Sequence, residues 1–377
     1  MGDFFRKYAI VGVGTTKAIG SLPGYSSMSI WTEAAKAAIE DAGIKASDID
    51  GVITKSERIY THHQRLAQLL GINTRFGETI ASGGATVGKM VAMACMAIDA
   101  GLCTTVLIGN GELERQPARG GRMGGQGAMG AEFGHMGTSG EHGFGLRRYM
   151  SQYRITPEQL GAISVQFRDY ASRNPIAQQR QPITLEDYLN SRWVVEPFRL
   201  LDICQVSDGC GCIIVTSAER ARELAQDPVH ILSFAQANNS RGWWADNNML
   251  ELGGKRSAVE AFQRAGVGPN DVNVMGIYDC FTYIVMITME DYGFCQKGEG
   301  GAFAASGALG PKGKIPTNTA GGQLSEGHTE GSTILVELVR QLRHELPADR
   351  QIPGVQVGLM SGHGGNTVNH STVILAR

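Results

Sequence analysis

Two hydrophobic periods alternate along this chain. Tyr8-Ala9-Ile10-Val11-Gly12-Val13-Gly14 is a short continuous apolar run closed by glycines, which predicts the first strand of an α/β domain. Trp31 to Ala42 is alanine-rich and stops at Gly43, the pattern of a helix with a glycine at its C-terminal cap. Asp48-Ile49-Asp50 then leads into a strand at Gly51-Val52-Ile53. Further along, Met90 to Ala100 and Thr333 to Leu342 predict helices. Thr104 to Ile108, Val355 to Leu359 and Thr372 to Leu375 predict strands. Thr156-Pro157-Glu158 has Thr at an N-cap and Pro at the first helical position, and Pro182 to Asp187 opens another helix.

The pattern recurs. Ala42-Gly43-Ile44-Lys45-Ala46-Ser47-Asp48-Ile49 matches Ala265-Gly266-Val267-Gly268-Pro269-Asn270-Asp271-Val272, eight residues at a constant offset of 223. Val229-His230-Ile231-Leu232 echoes the opening strand, and the helix and strand at 90–108 are echoed at 333–359. Two similar α/β halves explain these matches, 1–222 and 223–377. The first half carries an inserted region, 115–200. It is glycine-dense over 119–145, where few large apolar side chains are available to build a core, and helical over 146–200. Residues 119–145 are expected to form a mobile cover over the site or a partner-contacting loop.

Composition narrows the function. Lys+Arg count 34 against 36 Asp+Glu, a formal net charge of -2, which argues against nucleic acid as the main ligand. No segment reaches the roughly 18 apolar residues that span a bilayer, and no secretory leader is evident, so no membrane role and a cytoplasmic location are expected. Seven cysteines without CxxC spacing read as reduced thiols. Cys210-Gly211-Cys212 is too close for an ordinary zinc pair, so no metal site is expected. Gly12-x-Gly14 lacks the third glycine of a dinucleotide fingerprint.

Three segments carry candidate chemistry. In Glu78 to Ala85, small residues precede a long helix. They serve either tight packing or binding of negative charge at a helix N-terminus. Ile277-Tyr278-Asp279-Cys280-Phe281 ends a strand of the second half, where α/β proteins place their sites, although Tyr278 and Cys280 also suit a core. Gly321 to Gly331 holds His328 between glycines ahead of a helix. Ser361-Gly362-His363-Gly364-Gly365-Asn366 reads as a similar glycine-rich turn. Trp243-Trp244 fit either a pocket for a bulky ring system or a dimer contact.

On these residues the chain resembles the thiolase superfamily, and within it the sterol-carrier-protein-type thiolases and their lipid-transfer-protein relatives. Tyr278-Asp279-Cys280-Phe281 is similar to that branch's His-Asp-Cys-Phe motif, and Gly322 to His328 resembles its Gly-His motif. Tyr149 to Glu158 and the turn Ser207-Asp208-Gly209 are also similar. The resemblance implies a five-layered αβαβα fold of two similar halves, a coenzyme A thioester as substrate with no bound cofactor, and a homodimer. It further implies a larger complex with a small zinc-ribbon/OB-fold partner subunit.

The departures decide the chemistry. The family's nucleophilic cysteine stands directly before an Ala-Ser-Gly run; here that position is Ile80. The second family cysteine, the acid/base, falls at Met360, and the first motif histidine at Tyr278. Neither Ile nor Met forms an acyl-thioester or moves a proton. Cys95, about four turns along the same helix, reads as core. A retro-aldol cleavage of a β-hydroxy-acyl-CoA needs no covalent intermediate. It needs a base, assigned to His328, and a donor to the enolate oxygen, assigned to Tyr278, with the reverse assignment open. Ser82, Gly83 and Gly364 are expected to bind substrate or oxyanion. The alternatives are a thiolase-like acyltransferase with a relocated thiol, or a non-catalytic acyl-CoA- or lipid-binding scaffold.

Overall fold

A computed structural model of the chain describes residues 6–56, 59–115, 137–224, 227–238, 250–365 and 367–377. The first half runs β1 (Tyr8–Thr15), α1 (Ser27–Ala42), β2 (Gly51–Lys55), α2 (His62–Leu70), β3 (Phe76–Ile80), α3 (Thr86–Asp99) and β4 (Thr105–Leu113). An inserted layer follows: α4 (Gly137–Tyr153), α5 (Pro157–Arg173), α6 (Leu185–Asn190) and a hairpin of β5 (Trp193–Val195) and β6 (Phe198–Arg199). β7 (Asp208–Ser217) and α7 (Ala218–Ala221) complete it. The second half runs β8 (Val229–Asn238), α8 (Gly254–Ala265), β9 (Val274–Ile277), α9 (Thr282–Asp291), α10 (Gly300–Ala305) and α11 (Gly322–Ser325). It ends with α12 (Ser332–Arg343), β10 (Val357–Gly364) and β11 (Asn369–Ala376).

The strand order β3-β2-β4-β7-β1-β8-β11-β10-β9 reads the same way inward from either end. β2 pairs parallel with β4, and β9 pairs parallel with β10. β1–β7 and β8–β11 are both antiparallel. The counterpart of β3 is reduced to one parallel bridge, Met275 to Thr317. The two half-sheets join through three residue pairs, Tyr8–Ile10 against Val229–Ile231.

The offset-223 match folds twice into the same local structure. α1 and α8 end at Ala42 and Ala265, and Gly43 and Gly266 cap them at φ 65° and 66°, a left-handed geometry that glycine adopts without strain. Each is followed by a one-turn 3₁₀ helix, whose Asp48 or Asp271 carboxylate accepts the Lys45 or Gly268 amide at 2.9 and 2.8 Å. β2 and β9 then start at Gly51 and Val274, the same offset.

Period-two alternation builds the layers. In β1, Ala9 and Val11 pack under α1, while Ile10 and Val13 face a central core. Gly12 and Gly14 let α1 approach: a Cβ on them would lie 2.3 Å from Ala38 O and 2.4 Å from Ala34 O. The central core is filled by α3 and α12 and is shared by strands of both halves; α8 and α9 cover the outer face of the second half. Five layers result, αβαβα.

Three expectations change. The stretch 146–200, expected to be helical, ends in the β5–β6 hairpin over 193–199. Residues 137–145 are not loop but the first half of α4, with Glu141, His142, Gly143 and Gly145 buried; Gly145 allows a close approach, a Cβ on it lying 3.0 Å from the Tyr283 hydroxyl. The rest of the glycine-dense segment, 119–136, and Trp243-Trp244 lie outside the described residues. Ser361 to Gly364 are strand rather than turn, because β10 continues to Gly364 in register with β11.

Candidate active site

Asn318 and Asp279 fasten the loop that carries His328 to the end of β9. Asn318 accepts the Ile277 amide at 2.8 Å and donates to the Ile277 carbonyl at 2.9 Å. The buried Asp279 carboxylate accepts the amides of Gln323 at 2.8 Å and Leu324 at 3.2 Å. Burial pushes the Asp279 carboxyl up to about 7 against those hydrogen bonds. The His328 amide donates to Ser207 Oγ at 2.9 Å. Gly327, at φ 145°, is obligatory there, since a Cβ would lie 2.3 Å from Ile19 Cγ2.

This framework brings the two proposed site side chains together. The Tyr278 phenol oxygen lies 3.0 Å from His328 Nε2, and both residues are only 8% exposed. Burial holds the phenol pKa well above 10, so Tyr278 stays protonated. His328 Nδ1 lies 3.2 Å from Glu114 Oε2. Burial alone would lower the His328 pKa, but Glu114, with Glu330 and Glu112 behind it, raises it above the ordinary value. Lys55 bridges Glu112 and Glu330, 2.9 Å from Glu330 Oε1. A proton arriving on His328 therefore meets carboxylates rather than an apolar wall.

The glycine loop before α3 closes over this pair. A Cβ on Gly84 would lie 2.1 Å from the Tyr278 ring, and one on Gly364 would lie 1.9 Å from Ser82 O. Ser82, Gly83 and Gly364 are thus packed together next to Tyr278. The Ser82 amide is engaged, donating to Thr86 Oγ1 at 2.8 Å. Ile80 ends β3 and packs against the central core; Met360 is buried in β10, beside Gly331. Cys95 is fully buried in α3, as core.

A second set of imidazoles lies nearby. The His363 ring meets the Tyr278 ring edge-on with centroids 5.0 Å apart, and its Nε2 is 3.6 Å from Cys280 Sγ. Burial drives His363 well below 6.5 and the Cys280 thiol well above 9.0, so this pair is a neutral thiol beside a neutral imidazole.

The sequence reading missed Glu112, Glu114 and Lys55. A signal existed: Asn110-Gly111-Glu112-Leu113-Glu114 continues the expected strand 104–108 in strict alternation, which aims Asn110, Glu112 and Glu114 to one face.

A mixed α/β fold of two similar halves, with a buried Tyr–His–Glu constellation where the helices of the central layer begin, is that of a thiolase-like protein. A thiolase C-terminal-domain model matches residues 235–377. The chain is 35% identical over 89% of its length to the steroid side-chain-cleaving aldolase of Thermomonospora curvata, of which 90% is covered. It is 36% identical to the 17-hydroxy-3-oxo-4-pregnene-20-carboxyl-CoA lyase of Mycobacterium tuberculosis, covering 89% of this chain and 91% of that one. It is also 32% identical to an acetyl-CoA acetyltransferase of Methanothermobacter thermautotrophicus, covering 97% and 99%. The solved Ltp2-ChsH2(DUF35) aldolase superposes over 100% of this chain and 99% of that one, with a TM-score of 0.93 at 32% identity. The chain belongs to the thiolase superfamily, in the branch of sterol-carrier-protein-type thiolases and lipid-transfer-protein aldolases. No helix among the described residues is long and apolar enough to cross a membrane.

Proposed function

We propose that the protein cleaves a β-hydroxy-acyl-CoA by a retro-aldol reaction, releasing a shorter acyl-CoA and a ketone or aldehyde. The observation that carries this reading is the exchange of chemistry at one site. Ile80 and Met360 stand where the resemblance places the thiolase cysteines, while Tyr278 and His328 form a buried acid/base pair 3.0 Å apart. His328 Nε2 takes the β-hydroxyl proton. The Cα–Cβ bond breaks, its electron pair passes into the thioester as an enolate, and the β-carbon becomes a carbonyl. Imidazolium Nε2–H then donates to the phenol oxygen, which frees the Tyr278 O–H for the enolate oxygen. The proton returns to Cα, and the acyl-CoA leaves. Ser82, Gly83 and Gly364 line the acyl-thioester side.

The names of the 35–36% identical relatives make a steroid whose side chain is a hydroxylated acyl-CoA the first substrate to assay. We propose a cytoplasmic homodimer, with β3 as the open edge of its sheet, in complex with a small zinc-ribbon/OB-fold subunit. The DUF35 partner in the structurally similar aldolase supports that complex. The half boundary at 222/223 is part of the same proposal.

The acetyltransferase relative keeps a second reading in view, a relocated-thiol acyltransferase. Cys280 is the thiol nearest the site's imidazoles, and its raised pKa opposes that role. Incubation with acyl-CoA followed by intact-mass spectrometry separates the two. The aldolase cleaves with no adduct; an acyl adduct on a cysteine overturns it. Ligand binding without turnover in the full complex points to the scaffold instead.

A further inference from the structure

We propose that Glu114 is the positioning residue of His328: its carboxylate, at ion-pair distance 3.2 Å from Nδ1 but off the line of a hydrogen bond, favours the Nδ1–H tautomer by its charge and leaves Nε2 as the basic nitrogen facing Tyr278. The proposal deepens the reading of His328 as the base and rests on it.

Three observations converge. One residue straps both partners from behind: the Ser207 carbonyl accepts the Glu114 amide at 3.3 Å, and Ser207 Oγ accepts the His328 amide at 2.9 Å. Ser207 Oγ in turn donates to Gln178 Oε1 at 2.6 Å, which leaves its lone pairs for His328. The adjoining Asp208 anchors the next residue, its Oδ1 accepting the Arg115 amide at 2.9 Å while Oδ2 accepts the Leu22 amide at 3.1 Å. The main chains of Glu114 and His328 are thus both tied to Ser207, which brings the carboxylate within reach of the imidazole.

The second observation is the division of labour among the carboxylates. The titratable groups facing His328 come from β4 (Glu112) and the residue just past it (Glu114), β2 (Lys55), its own loop (Glu330) and the end of β9 (Tyr278, with Cys280 and the His363 ring behind it). Lys55 is shared by Glu112 and Glu330, and Asn110 Nδ2 also reaches Glu330 Oε2 at 3.4 Å. Glu114 is the carboxylate at ion-pair distance from the imidazole itself. The third is the phenol: Tyr278 stays protonated with its oxygen 3.0 Å from Nε2, so its O–H is available to a bare Nε2, the partner that the Nδ1–H tautomer provides. Carboxylate–imidazole–hydroxyl is the arrangement that turns a histidine into an oriented base.

The test uses the full-length protein with ¹⁵N-histidine labelling and NMR titration, the His328 signals being assigned from a His328→Gln spectrum. The expected wild-type result is a neutral Nδ1–H tautomer titrating above the ordinary histidine value of about 6.5. Glu114→Gln is expected to move that titration to lower pH and to move the acid limb of kcat with it. It should lower kcat about 10²-fold, because part of a general base's contribution is lost, with KM unchanged. Glu114→Asp keeps the charge and is expected to titrate above the Gln variant. A neutral Nε2–H tautomer in the wild type, an unmoved titration in folded Glu114→Gln, or an Asp variant identical to Gln overturns the proposal. The wild-type tautomer decides it even if neither variant folds. Failure of the wild-type complex to cleave any β-hydroxy-acyl-CoA overturns the aldolase reading instead, and the titration still judges Glu114.

Discussion

His328 and the trio His142, His363 and His370 are buried almost equally, yet their proton affinities diverge. The trio meets neutral partners. His142 Nδ1 is 2.7 Å from the Tyr283 hydroxyl, His370 Nε2 is 2.8 Å from the Thr367 carbonyl, and His363 faces a thiol. Burial drives His142 down to about 3 and His370 to about 4. His328 sits under the same desolvation but beside Glu114, and its affinity rises. Burial alone makes a histidine inert. Burial beside a placed carboxylate makes it a base at neutral pH.

The comparison breaks most severely at His328. His328→Ala is expected to lower kcat by about 10²–10⁴-fold in a β-hydroxy-acyl-CoA cleavage assay, the usual worth of a general base. Tyr278→Phe is expected to cost about 10²-fold, the loss of one oxyanion donor, with the fold intact because the ring that packs on Gly84 is kept. The wild-type rate should fall as pH drops through the His328 pKa, with the acid limb above about 6.5, because only the neutral imidazole accepts a proton. Wild-type rates in both variants would remove this pair from the mechanism.

Much of this was legible in the sequence where local rules act alone. Ala-Gly ends α1 and α8, and Asp opens the turn into β2 and β9, because a left-handed cap and a carboxylate-to-amide bond are both encoded within a few residues. Tyr278 and His328 were legible through motif resemblance. Glu114 was not, because its role depends on a contact with a residue 214 positions later in the chain, made through Ser207. Ser361 to Gly364 looked like a turn because glycine normally interrupts strands. Here Gly362 and Gly364 stay in the strand so that the Ser82–Gly84 backbone can approach; a Cβ on Gly362 would lie 2.4 Å from Gly84 O.

The smallest effect expected is on stability, and it sharpens the contrast by sign. His370 binds protons less tightly when folded, about 4 against about 6.5 unfolded, so the unfolded chain takes up the extra proton in between. Its stabilising contribution is present above about 6.5 and is lost as pH falls toward 4. By pH 5 that loss is about 2 kcal/mol, at 1.36 kcal/mol per pH unit. His142 acts in the same direction. His328 acts oppositely: its contribution is present below about 6.5 and is lost as pH rises through its higher folded value. Acid lability is therefore assigned to the trio and not to the base. Urea unfolding at pH 7 and pH 5 checks this. His370→Gln should flatten the pH dependence by about 2 kcal/mol and leave kcat at pH 7 unchanged, since His370 reaches the Tyr278 ring through the neutral His363 ring rather than through a charged group. An undiminished loss of stability between pH 7 and 5 in that variant would place the acid sensitivity in His142 and His363 instead; Glu326, which burial pushes up to about 8, acts in the opposite direction and gains stability as pH falls.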